Sequence, residues 1–399
     1  MKIAIVSAHF LPTAGYQEVY ITNACVRLKH EVTVFTTSHI PSSHKAVLPN
    51  ELVANLNQYS SGTYKINLLR FLPFSGHLVI GFGLTQAIKE FSPDVLFIVG
   101  VGKIFPYPLL KNEFKPICLF GDNQDFRSGN SLRANLVNFR QFLLKVFLKN
   151  ILYRKAVECS KNIICYTPQT SEIVSKALFK NQKKLLHKKK IESTLGFDPD
   201  KYFFNQTERE KTRHLFGLNN GDLLIVTATR VNTNKEIEKI IDGINHLHMS
   251  GFPVYYFIIG FQGDAYERTV RKYIQKQQLP CNYQCFPFTD HETLRSYYCA
   301  SDIGIWRKAA ISIQESMGTG LQLFLEDKGN INHLIEHGKN GWLYNKNSFS
   351  FELVKIVQSF ISLDEGERRK KRFANCIANR KYSYDSIIAD ILLKAGYEG

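Results

Sequence analysis

The chain opens on a strand, helix, strand pattern and later repeats it. Met1 to Ser7 (MKIAIVS) is an apolar run of strand length with no polar alternation, which marks a strand buried on both faces. A turn from His9 to Gly15 follows, then apolar residues at helical spacing from Val19 to Leu28, then a second strand at Glu31 to Thr36 (EVTVFT). This is the β-α-β start of a doubly wound sheet. Pro93 to Val99, Lys115 to Phe120 and Asn162 to Tyr166 continue it, the last leading into a helix start at Thr170-Ser171-Glu172. Leu223 to Ala228 begins the pattern again, with further strands at Val254 to Gly260, Asn282 to Phe286, Ile303 to Trp306 and Leu321 to Leu325. A chain of 399 residues, 44% hydrophobic, has the length for two such α/β domains.

The formal net charge is +16, and its distribution says more than its size. Between Ser131 and Lys190 there are 14 Lys and Arg against 2 acids, Glu158 and Glu172, so +12 lies in one segment. Its first half, Leu132 to Val157, has helical apolar spacing with basic residues between. That pattern reads as a surface resting on anionic lipid or an acidic partner, the alternative being an ordinary core helix with a cationic outer face. Nucleic acid is not expected, because no helix-turn-helix, RNP or zinc-finger pattern is present. The 8 cysteines lack metal spacing, Cys281 and Cys285 being the only close pair, and suit reduced thiols in the cytosol. Neither a signal peptide nor an apolar run of membrane-spanning length is evident, so a soluble, cytoplasmic protein is expected, peripheral on the cytosolic membrane face if the basic segment binds lipid.

The chemistry concentrates between Ala300 and Tyr344. Strand Ile303 to Trp306 runs into the turn Arg307 to Ala310, and Ile311 to Met317 opens a helix with Ser312 expected near its N-cap. A strand, a turn and a helix start aim free backbone N–H groups and the positive end of a helix dipole at one point, which suits phosphate. Glu315 lies one turn inside, and a carboxylate there suits ribose hydroxyls. A solvated glutamate ahead of a glycine C-cap at Gly318-Thr319-Gly320 would leave the same trace. Arg230 and Lys235 follow the strand Leu223 to Ala228 and place two cations where a diphosphate would bind.

These residues resemble a family. Glu315-Ser-Met-Gly-Thr-Gly-Leu-Gln322 is similar to the nucleotide-binding end of family 4 (group 1) GT-B glycosyltransferases, whose pattern is a glutamate, seven residues, a second glutamate, then Ala-Met-Ala-x-Gly-x-Pro-Val. Arg307 stands in place of the first glutamate and Gln322 in place of the proline. Arg230 and Lys235 have the spacing of the family's Gly-Arg-Leu-x-x-x-Lys-Gly, with Thr229 and Glu236 replacing the glycines. Ala14-Gly15 resembles its glycine loop, and Leu195-Gly-Phe-Asp198 with Phe203 its inter-domain segment. Asp198-Pro-Asp200 spells a metal-binding Asp-x-Asp but falls in that linker.

The resemblance implies a GT-B fold: two Rossmann-like β/α/β domains facing a central cleft, residues 1–194 on the acceptor side, 195–383 binding the nucleotide sugar, and helix 384–399 returning to the first. It implies a glycosyltransferase moving a sugar from a nucleotide-diphosphate sugar to a glycan or lipid-linked acceptor of a cell-surface polysaccharide or glycolipid, retaining, with no metal or other cofactor. Arg230, Lys235 and Asp122 would be catalytic, with Asp122 and Asn123 taking a polar role where the family commonly has a histidine. Gly15, Asn123, Phe288, Arg307, Ser312, Glu315, Gly318 and Thr319 would line the donor. A guanidinium only donates hydrogen bonds, so Arg307 would favour an acidic donor sugar, or else point to solvent. The rivals are a nucleotide-sugar epimerase on the same fold and a non-catalytic protein that binds anionic surfaces.

Overall fold

The computed structural model describes residues 1–12, 15–40, 63–75, 78–121, 148–219, 221–263, 265–276 and 282–397. They divide into two units, Met1–Leu195 with Tyr384–Gly399, and Gly196–Ser383.

The first unit carries β1 (Lys2–His9), β2 (Glu31–Thr37), β3 (Lys65–Leu68), the antiparallel pair β4 (Phe71–Ser75) and β5 (Leu78–Gly81), then β6 (Val95–Val99), β7 (Ile117–Phe120), β8 (Asn162–Cys165) and β9 (Lys190–Glu192). Its main sheet is parallel in the order β3-β2-β1-β6-β7-β8-β9. Every residue of β1 after Lys2 is buried, because helices pack on both faces and a side chain pointing either way meets apolar neighbours. The terminal helix Tyr384–Lys394 belongs to this unit. Asp385 accepts both Nε and Nη2 of Arg27, at 3.0 and 2.6 Å, and the rings of Tyr20 and Tyr384 lie 5.5 Å apart.

One expectation here needs adjustment. The helix after β8 is Pro168–Ala177, and its cap is Thr167, whose hydroxyl accepts the Thr170 N–H at 3.0 Å. Proline tolerates the first turn of a helix because no intrahelical partner is lost there, so the helix begins ahead of the Thr-Ser-Glu run. Of the basic segment 131–190, residues 131–147 lie outside the described residues; the remainder includes helices Asn150–Cys159 and Lys180–Lys189.

The second unit repeats the plan with β10 (Leu223–Ala228), β11 (Val254–Phe261), β12 (Asn282–Pro287), β13 (Ile303–Trp306), β14 (Gln322–Glu326) and β15 (Gly341–Tyr344). All pairs are parallel, in the order β12-β11-β10-β13-β14-β15. The chain winds outward from β10 to β12, then jumps back to β13 beside β10, in register at Ile225 with Ile303. The loops leaving β10 and β13 therefore go to opposite faces and open a crevice between them. Open α/β sheets bind their ligands at this point.

One buried ion cluster holds the start of the two central strands, at the opposite end from these loops. Asp302, ahead of β13, accepts Arg209 at 2.7 Å, Arg213 at 3.3 Å and the Leu224 N–H at 2.9 Å. Burial alone would raise its carboxyl, but the two guanidiniums hold it below the usual carboxylate range.

Candidate donor site at the end of the second sheet

The turn leaving β10 is drawn onto the end of β11. Thr229 N–H donates to Ile259 O at 3.0 Å and Val231 N–H to Gly260 O at 3.2 Å. Gly260 permits this approach: its φ is +115°, and a Cβ there would sit 2.1 Å from Thr229 O. The turn leaves Arg230 exposed, with no hydrogen bond or ion pair among the described residues. A 3₁₀ turn, Thr233–Lys235, follows, capped by Asn232, which accepts the Asn234 N–H at 3.1 Å. Lys235 Nζ then donates to Ala309 O, in the loop leaving β13, at 2.6 Å.

The next residue, Glu236, is in the left-handed region at φ 54°, which costs a non-glycine residue about 1–3 kcal/mol. Its Oε2 accepts Arg307 Nε at 2.9 Å, while its Oε1 lies 3.4 Å from Lys308 Nζ and 3.5 Å from Lys239 Nζ. Burial alone would push this carboxyl up, but the Arg307 hydrogen bond and the lysines bring it down to about 2. A second carboxylate, Glu326 at the end of β14, lies 3.7 Å from Arg307 Nη2 and 2.7 Å from Lys328 Nζ.

The helix after β13 is Ile311–Gly318, with Ala310 as N-cap and no side-chain cap on its free N–H groups. Ser312 is therefore inside the first turn rather than capping it. Its hydroxyl donates to Ala228 O, the same carbonyl that takes Trp306 Nε1 at 2.8 Å, so the helix start is tied to the last residue of β10. Glu315 is buried one turn further on.

Three expected donor contacts change character. Arg307 is 3% exposed and directed inward between Glu236 and Glu326, beside the rings of Tyr344 and Phe349 at 5.9 and 5.2 Å. It does not point to solvent, because two carboxylates and two rings hold it under the loop. Gly318 and Thr319 lie at the other end of the helix. A Cβ on Gly318 would meet Tyr202 O at 2.4 Å, and Thr319 is fully buried with its carbonyl accepting Arg372 Nε at 2.9 Å. Both are packing residues, away from the helix start.

Phe288, just past β12, is 62% exposed, and its N–H donates to Phe261 O at 3.1 Å, leaving its carbonyl and ring available. Gly15 is described, in the turn after β1 of the first unit, whereas Asp122 and Asn123 lie outside the described residues. The structure thus places Arg230 and Lys235 in the turn leaving β10, and Ser312 and Glu315 in the helix that follows β13. The charged group that sequence reasoning passed over is Glu236 with Lys308, Glu326 and Lys328. Its signal was present, since Glu236 replaces a glycine and Arg307 a glutamate, two substitutions of opposite sign.

The sequence profile of the Glycosyl transferases group 1 matches residues 208–376. Solved structures with the same fold include HepE of Anabaena in complex with UDP and glucose, at TM-score 0.67 and 16% identity over 99% of each chain. A glycosyltransferase from Rickettsia africae superposes at TM-score 0.65 with 14% identity, over 99% of this chain and 97% of its own. Sucrose-phosphate synthase of Thermosynechococcus elongatus does so at 0.65 and 14%, over 98% of each. No curated protein matches the chain by sequence.

Proposed function

We propose that the chain is a glycosyltransferase that moves a sugar from a nucleotide-diphosphate sugar to a glycan or lipid-linked acceptor with retention at the anomeric carbon, a reading supported by the group 1 profile over residues 208–376 and by the GT-B fold. The observation that carries the reading is the pair of cations leaving β10, Arg230 with no partner among the described residues and Lys235 beside an uncapped helix start. As the bond from the anomeric carbon to the diphosphate oxygen breaks, negative charge collects on the diphosphate. Cations and backbone dipoles already in place meet that charge without reorganising, which usually supplies the largest part of catalysis. Neither a metal nor a protein nucleophile is needed in this scheme.

Glu315 would accept the ribose hydroxyls, with Ser312 beside it at the helix start. Phe288 would offer its carbonyl and exposed ring to the base. For the first unit the reading keeps Gly15, Asp122 and Asn123, as the resemblance implies. UDP-sugars are the first donors to try, since HepE holds UDP and UDP-glucose, and ADP-sugars the second, since starch synthase IV of Arabidopsis thaliana holds ADP.

The acceptor side would rest on an anionic cytosolic membrane face. Support comes from helix Lys180–Lys189, whose Lys180, Lys183, Lys184 and Lys188 are exposed, and from Phe179 and Ile151, 61% and 54% exposed. Among the described residues no helix is long and apolar enough to cross a membrane. Flotation with anionic and neutral vesicles tests the attachment, and equal binding to both would remove it. Incubation with UDP- and ADP-sugars plus a bacterial lipid extract, with and without chelator, tests the activity. Nucleotide release that depends on acceptor and survives chelator is expected; a changed sugar without acceptor would indicate epimerisation.

A further inference from the structure

We propose that Glu236 is a positioning residue of the donor site, which fixes Lys235 against the helix start without touching the donor. The proposal rests on the donor-site reading above.

Two adjacent residues on one loop clasp consecutive residues on another. Lys235 reaches Ala309 O at 2.6 Å, and Glu236 holds Arg307 and Lys308 at 2.9 and 3.4 Å. Arg307 is a fixed anchor, since its side chain is 2% exposed with Glu326 as its other carboxylate at 3.7 Å. The clasp therefore joins the loop bearing Arg230 and Lys235 to the loop that starts helix Ile311–Gly318. The backbone at Glu236 points the same way. A φ of 54° is one that glycine adopts freely and glutamate does not, so its persistence requires that the side chain be held from outside. With its carboxyl near 2, Glu236 is charged throughout the neutral range and the clasp stays closed.

Lys235 owes its place to this clasp. Its ammonium hangs on a flexible four-carbon stem, so where it reaches depends on how the loop that carries it is held. Without the neighbouring ion pair the Thr233–Lys235 turn loses its register, while Arg230 stays held by the Thr229 and Val231 bonds to the end of β11, and the ammonium no longer waits beside the uncapped N–H groups. The diphosphate should then bind less tightly, while ribose and base, held by other elements, bind as before.

The test compares wild type, Glu236→Gln, Glu236→Gly, Lys235→Ala and the Glu236→Gln/Lys235→Ala double variant, titrated by calorimetry with UDP and uridine, and with ADP and adenosine. Glu236→Gly removes the carboxylate while suiting the left-handed backbone, so its loss of affinity cannot come from backbone strain. Both Glu236 variants should lose about 10-fold in diphosphate affinity and keep nucleoside affinity. On the Lys235→Ala background Glu236→Gln should add nothing, because the two residues act as one unit. Wild-type diphosphate affinity in the Glu236 variants, an equal loss for nucleosides, or additive losses would each overturn the proposal. If Lys235→Ala alone changes nothing, the donor-site reading falls instead. The clasp is then still read without ligand by amide hydrogen exchange, which should quicken at residues 233–236 and 307–311 in Glu236→Gln; unchanged exchange there overturns it.

Discussion

Replacing Gly260 by alanine should damage both stability and donor binding, and a second glycine separates the causes. Gly260 has φ +115°, and its added Cβ would lie 2.1 Å from Thr229 O and 2.8 Å from Thr229 C. The backbone conformation alone costs an alanine about 1–3 kcal/mol, and forcing a methyl against a backbone carbonyl adds roughly 1–3 kcal/mol more. Gly217 in the same unit has φ +66° and nothing within 4 Å of its Cβ, so Gly217→Ala pays only the conformational part, about 1–2 kcal/mol. In a unit of this size each kcal/mol moves Tm by roughly 2–4 °C. Thermal unfolding should therefore show a clearly larger drop for Gly260→Ala than for Gly217→Ala. Relief of the clash also pushes Thr229 and Arg230 off the end of β11, so UDP affinity, measured where both variants are folded, should fall in Gly260→Ala and hold in Gly217→Ala. Equal Tm shifts, or an unchanged UDP affinity in Gly260→Ala, would refute the claim that this close approach sets the Arg230 turn.

Two further outcomes come from buried charge. Burial, with Lys201 nearby, lowers His291 from 6.5 to about 4, and its ring pairs with the Tyr202 hydroxyl at 2.5 Å. A depressed folded value means that the unfolded chain binds the proton first, so this contribution is full above pH 6.5 and disappears as pH falls toward 4; urea midpoints of His291→Gln should lack that part of the wild-type slope. Asp302→Asn leaves Arg213 buried against a neutral amide and should cost roughly 3–5 kcal/mol by urea unfolding, whereas a loss below about 1 kcal/mol would mean that the carbonyls around Arg209 and Arg213 suffice.

The strands were legible because parallel strands covered on both faces need unbroken apolar runs, and MKIAIVS and LLIVTA are such runs. The site was legible as far as its backbone goes, since Arg230 and Lys235 follow a strand end and Ile311 opens a helix. Side-chain direction was not. Ser312 reads as a cap from its neighbours, yet its hydroxyl goes to Ala228, 84 residues away. Arg307 reads as an exposed cation at a turn, yet its partner Glu236 lies 71 residues back. Gly318 and Thr319 read as part of a motif, while their burial comes from Tyr202 and Arg372. Local pattern carries secondary structure; where a long polar side chain ends depends on contacts that no window spans.

The central claim is that the two cations leaving β10 hold a donor diphosphate, and calorimetric titration of UDP into wild type, Arg230→Ala and Lys235→Ala tests it most directly. Each lost charge-assisted contact is worth about 1.5–3 kcal/mol, so each variant should bind roughly 10- to 100-fold more weakly while uridine affinity is unchanged. Wild-type UDP affinity in both variants would contradict it.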